Sequence, residues 1–118
     1  MPRPPIENLL SEGWDALPFE PFREGIEICT LVEGEPSVAV LRYEPGARVP
    51  RHRHTGLETI LVLAGMQSDE AGNYAAGTFV ANPVGSEHSV WSEGGCVVLI
   101  QWEKPVEFIL ESEGREKG

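Results

Sequence analysis

Three histidines make up the whole imidazole content of this 118-residue chain: His52, His54 and His88. Two of them stand two apart in Arg51-His52-Arg53-His54, and Glu58 follows beyond a Thr55-Gly56 bend. In an extended strand residues i and i+2 share a face. Both imidazoles then point one way, and Arg51 and Arg53 the other. Two neutral ring nitrogens and a carboxylate oxygen in so short a stretch suit a first-row divalent metal ion. A His-x-His among arginines also suits a solvated loop, and the spacing alone leaves both readings open.

The elements that must position these residues read as strands. From Gly25 onward the hydrophobic period is two, with Ile26, Ile28, Thr30 and Val32 alternating against Glu27, Cys29, Leu31 and Glu33. Further strands are expected over 37–43, 59–64, 78–81, 88–91, 96–102 and 106–110, with a hairpin of 66–69 and 73–74 around Glu70-Ala71-Gly72. Turn residues separate them, as in Glu44-Pro45-Gly46-Ala47 and Asn82-Pro83-Val84-Gly85. Roughly eight to ten short strands at this spacing predict an all-β sandwich or barrel. The chain divides into an N-terminal arm over 1–24, a barrel over 25–111 and a charged tail over 112–118. In the arm, Pro5 suits a first helical position and Gly13 a stop, so 5–13 is expected to form one or two helical turns. Trp14, Phe19 and Phe22 are expected to pack on the barrel or on a second copy of the chain.

Nine basic against 19 acidic residues leave a net charge of −10. Such a surface repels nucleic acid and anionic lipid, so neither is an expected partner. No apolar stretch approaches the ~18–20 residues of a membrane span. The first ten residues, MPRPPIENLL, lack the long apolar core of a secretory signal. Cys29 and Cys96 are too few for a disulfide framework. A cytoplasmic protein is expected.

The residues around the histidines match both motifs of the cupin superfamily. Gly46, His52, His54, Glu58 and Gly65 fall on the fixed positions of the first motif. Gly77, Pro83, Gly85 and His88 fall on those of the second, where Ser92 replaces a final Asn that is not a metal ligand in the family. The chain therefore resembles a cupin. The resemblance implies a small single-domain β-barrel, or jelly roll, with His52, His54, Glu58 and His88 converging on one divalent metal ion per chain. A narrower likeness, to the cupin domain of ChrR-type anti-sigma factors, rests on Pro50-x-His52-x-His54-x-Gly56-x-Glu58, Ser68-Asp69-Glu70-x-Gly72-x-Tyr74-x-x-Gly77-Thr78, Asn82-Pro83-x-Gly85-Ser86-x-His88 and Gly95-Cys96. It implies zinc first, with iron, manganese or nickel as alternatives. Full-length members carry an N-terminal zinc-binding anti-sigma domain with a His-x3-Cys-x2-Cys cluster. Residues 1–25 hold neither Cys nor His. The expectation is thus the cupin alone, without sigma-factor inhibition.

Two functions follow from this resemblance. One is a small-molecule or stress-sensing binding module whose four protein ligands hold zinc in a closed site. The other is a metal-dependent dioxygenase acting on a small organic substrate, with ligand positions left open. A homodimer is expected in either case. Among other residues, Cys29 and Cys96 read as small buried hydrophobes or as cavity thiols. Arg42 or Arg48 could sit at the cavity mouth and orient an anionic substrate, or simply face solvent. Tyr43, Trp91, Gln101 and Trp102 read as core or as cavity lining.

Overall fold

A computed structural model describes residues 5–10 and 13–109. Ten strands dominate it: β1 (Glu20–Arg23), β2 (Ile26–Val32), β3 (Ser37–Tyr43), β4 (Ala47–Arg53), β5 (Glu58–Asp69), β6 (Gly72–Ala75), β7 (Phe79–Asn82), β8 (Glu87–Ser92), β9 (Cys96–Trp102) and β10 (Glu107–Phe108). Neighbours run in the order β1-β2-β3-β9-β5-β8-β4-β10, with β6 and β7 also on β5, and every pair is antiparallel. The sheet curls over on itself into the expected jelly-roll barrel. The two ends of the path, β1 and β10, are not paired with each other.

The pivot is β5. Its first half pairs with β7 and β9, and its second half with β6 and β8. The expected separate strands 59–64 and 66–69 are thus one bent strand. The bend falls at Gly65, where φ is +76° and the register against β9 has just slipped between Val62 and Ala64. A Cβ on Gly65 would strike the Gly95 carbonyl oxygen and sit 2.9 Å from the Cys96 Cα. Only glycine meets both demands.

Period two sorts β3 into two faces. Ala39, Leu41 and Tyr43 point into the barrel core with Ile26, Ile60, Val62, Val98 and Ile100. Val40 points outward, with Leu63 and Val97, onto a second cluster that Trp14, Leu17 and Phe19 cover. Trp14 and Phe19 therefore pack on the sheet of their own chain, whereas Phe22 does not join this cluster and is exposed. Burying a Val or Leu side chain is worth about 1.5–3 kcal/mol, which fastens the arm to the sheet. Its last residues, Glu20–Arg23, join the sheet as β1. No helix forms over residues 5–10. Asn8 takes φ +61°, which ends an α-helical path, and its carbonyl accepts from Gly13 N–H at 2.7 Å. A single 3-10 turn over Gly13–Ala16 follows. The charged tail, 112–118, lies outside the described residues.

Candidate metal centre

The i, i+2 spacing acts as expected along β4 and one residue past its end. His52 and His54 are buried, at 4% and 1% exposure, while Arg51 and Arg53 are exposed and pair with Glu87 and Glu107. On the neighbouring strand, His88 lies directly across from His52 in the β4–β8 register. Two strands thus deliver three imidazoles to one place. The ring centroids are 5.1, 4.7 and 4.7 Å apart and the planes lie 69–85° from one another. One nitrogen from each ring falls within 4.8 Å of the other two. Such a cluster could hold a metal ion.

Hydrogen bonds behind the rings select the tautomers. His52 Nδ1 lies 2.9 Å from the Pro50 carbonyl, His54 Nδ1 lies 3.0 Å from the Ser86 carbonyl, and His88 Nδ1 lies 2.9 Å from Asp69 Oδ2. Carbonyl and ionised carboxylate oxygens can only accept, so each Nδ1 carries the proton and donates it. In the neutral rings every Nε2 is then a free lone pair. The Nε2 atoms of His54 and His88 are buried with no hydrogen-bond partner. A buried polar atom left so costs about 1–3 kcal/mol. Lone pairs held by donors of this kind match the support usually found behind metal-binding histidines, and a cation would satisfy them.

Glu58 opens β5 on the other side of the 54–57 bend. Its Oε1 lies 3.1 Å from His54 Nε2 and accepts from Asn82 Nδ2 at 2.9 Å. With its proton on Nδ1, His54 has none on Nε2 to give the carboxylate, so the contact is not a hydrogen bond. Its length is close to the ~3.0–3.4 Å between adjacent ligand atoms bound about 2.1 Å from one ion. Glu58 lies outside the cluster of three nitrogens, touching it through His54.

The environment shifts the ionisable groups. Burial lowers His52. Burial would also lower His54, but the Glu58 carboxylate beside it and the Ser86 carbonyl outweigh that and raise it. Burial would raise Asp69, yet His88, Tyr74 and the Ala71 amide together hold its carboxyl below the usual range. Tyr74 donates to Asp69 Oδ1 at 2.8 Å.

Beside the cluster lies a cavity of about 550 Å³. His52 and Glu58 reach its wall, Ile28, Leu41, Ile60 and Ile100 line its apolar side, and Tyr43, accepting from Gln67 Nε2 at 3.3 Å, adds a polar group.

The family model for the ChrR cupin-like domain matches residues 12–105. The chain belongs to the ChrR cupin-like family. Among relatives of this cupin, the anti-sigma-E factor ChrR of Cereibacter sphaeroides is 34% identical over 107 residues, which cover 88% of the chain and 50% of the relative. The chain spans about half the length of that curated relative. The crystal structure of Rhodobacter sphaeroides SigE in complex with the anti-sigma ChrR is similar with a TM-score of 0.69 and 28% identity, over 75% of this chain and 50% of that one. An acetylacetone dioxygenase from Acinetobacter johnsonii shares the fold at a TM-score of 0.74 and 17% identity, over 80% of this chain and 73% of that one.

Other residues of the cupin fall partly where the sequence suggests. Tyr43 and Trp102 line the cavity, whereas Gln101 is exposed and Trp91 packs under Arg48. Neither candidate arginine reaches the cavity. Arg42 stands between inward Leu41 and Tyr43, so it faces out, where it binds Glu27 at 2.6 Å and stacks on Phe19. Arg48 lies over the Trp91 ring. The lining arginine is Arg23, on β1. Cys29 and Cys96 are buried and absent from the cavity wall. Ser92, at the variant motif position, donates to the Met66 carbonyl at 2.6 Å. Sequence reasoning passed over the supporting roles of Asp69, Ser86 and Asn82. All three stand inside the stretches that carry the family likeness, which was the available signal. No helix among the described residues is long and apolar enough to cross a membrane.

Proposed function

We propose that this chain is a ChrR-type cupin module that binds one divalent metal ion on His52, His54, His88 and Glu58 and senses or binds a small molecule in the adjoining cavity. The observation that carries this reading is the pair of buried, partnerless Nε2 atoms on His54 and His88. Zinc is the first candidate, because three imidazoles and a carboxylate complete its preferred four-ligand set. We place the protein in the cytoplasm, in keeping with its acidic, disulfide-poor composition. The test is metal analysis of protein purified without added metal. One equivalent of zinc per chain is expected, with most of it lost in His54→Ala. A full equivalent retained by His54→Ala would remove the site.

The cavity favours a second reading, as a dioxygenase. An iron ion in the same ligand set would supply Lewis-acid and oxygen chemistry. The chain would contribute the apolar walls that hold a small organic substrate and exclude water. Oxygen uptake by iron-loaded protein with small diketones, thiols and phenolic acids checks this, and no uptake with any of them would leave the binding module. A homodimer is also proposed. Trp14 and Phe19 are used on the chain's own barrel, so the apolar surface left for a second copy includes Phe79 and Val84, at 64% and 68% exposure. A monomer mass in light scattering at all concentrations would refute it.

A further inference from the structure

We propose that the barrel cavity is a site for a small organic carboxylate with an apolar body, and that Arg23 is the residue that selects its charge. The inference rests on the small-molecule reading above and names the ligand class. Acidic residues outnumber basic ones 19 to 9. Among the described residues Arg42, Arg51, Arg53 and Lys104 all stand within ion-pair distance of carboxylates. Arg23 and Arg48 have no carboxylate partner among them, and of these two only Arg23, half-buried, stands on the cavity wall. Lys104, also on the wall, is paired with Glu35 at 3.6 Å. Glu33 lies on the wall too, exposed beside Gly34 and Ser37.

The position of Arg23 is as telling as its charge. It ends β1, one end of the strand path, and its guanidinium lies 4.7 Å over the ring of Phe108 on β10, the other end. Phe108 in turn meets the His52 ring edge-on, with centroids 5.8 Å apart. The unpaired seam of the barrel is therefore bridged by one cation-π contact that leads to the histidine cluster. A guanidinium stacked on an aromatic face keeps its in-plane N–H donors free, and these match a carboxylate in two-point fashion. Behind it, Ile28, Leu41, Val49, Ile60, Val90 and Ile100 offer an apolar wall. A volume of about 550 Å³ is that of a small-ligand pocket. A charged head at the seam and an apolar body within match this division.

The experiment is calorimetric titration of the full chain with octanoate and with its neutral isostere octanamide, on the native protein, Arg23→Gln and Arg23→Lys, each with metal content measured and again after chelation. Octanoate should bind at least tenfold more tightly than octanamide to the native protein. Arg23→Gln should bring the two Kd values together with metal content unchanged, and Arg23→Lys should keep part of the preference. Because Lys retains the charge, it also serves if the Gln variant does not fold, an undiminished preference there counting against the two-point contact. A preference that survives Arg23→Gln, or no binding of octanoate to the native protein, overturns the proposal. A chain without metal that still prefers octanoate through Arg23 would sink the metal reading and leave this one standing.

Discussion

Asp69 Oδ2 accepts the Nδ1 proton of His88 at 2.9 Å, a contact between the end of β5 and the start of β8. The same carboxylate receives Tyr74 and the amides of Ala71 and Gly72 on its other oxygen. Asp69 is therefore held by the β5–β6 hairpin and in turn fixes which nitrogen of His88 faces the cluster.

If that contact orients a metal ligand, Asp69→Asn should weaken metal binding about 10–100-fold. The fold should survive, because Asn keeps an acceptor for the hairpin amides. Chelator competition gives the Kd, and circular dichroism checks the fold. An unchanged Kd would mean that His88 needs no help from Asp69.

Removing the ion should lower the melting temperature at pH 8 without unfolding the chain, since the barrel has a core of its own. A ligand present at 1,000 times its Kd adds about 4.1 kcal/mol to the folded state. The ligand form of His is the neutral imidazole, so protons and metal compete for the same nitrogens. The advantage of the metal-loaded protein is therefore full at pH 8 and is lost as pH falls through about 6 and below. Melting curves from pH 8 to 5, with and without chelator, should converge at the acid end. Coincident curves at pH 8 would show that no ion supports the fold.

Gly65→Ala should destabilise by more than Gly77→Ala. Both glycines have positive φ, which costs an L-residue about 1–2 kcal/mol. Gly77 has open space around its Cβ position, whereas Gly65 faces Gly95 and Cys96 backbone. Urea unfolding midpoints measure the difference. Equal losses would show that β5 can bend without the close approach.

Burial pushes the Cys96 thiol up to about 11, with the neighbouring Ser92 side chain acting the other way. The thiolate is the reactive form. Iodoacetamide at pH 8 should therefore leave Cys96 unmodified in the folded chain and label it in urea. The sign of the linkage follows. Between about 9, the ordinary value, and about 11 the unfolded chain gives up this proton and the folded chain keeps it. The contribution of Cys96 to stability is thus present below pH 9 and lost as pH rises toward 11. Rapid labelling at pH 8 would contradict the burial.

The sequence alone determined the strand-rich class, the face shared by His52 and His54, and the outward direction of Arg51 and Arg53. These are consequences of a two-residue period, which is a property of the local backbone. It also carried the family likeness, because glycines and histidines at fixed spacings record where the chain must turn. It could not join 59–64 to 66–69, because whether Gly65 ends a strand or bends one depends on what lies across from it. The β9 turn at Gly95-Cys96 decides that. Nor could it choose among the arginines, since parity tells which face a residue takes but not what that face meets. Strand β3 has a covered outer side, so Arg42 goes to Glu27 and Phe19 instead of the cavity. Arg23 gains its place only because the curled sheet brings its two ends, β1 and β10, side by side. Contacts between residues 23 and 108 depend on closure of the whole barrel, and no local pattern encodes them.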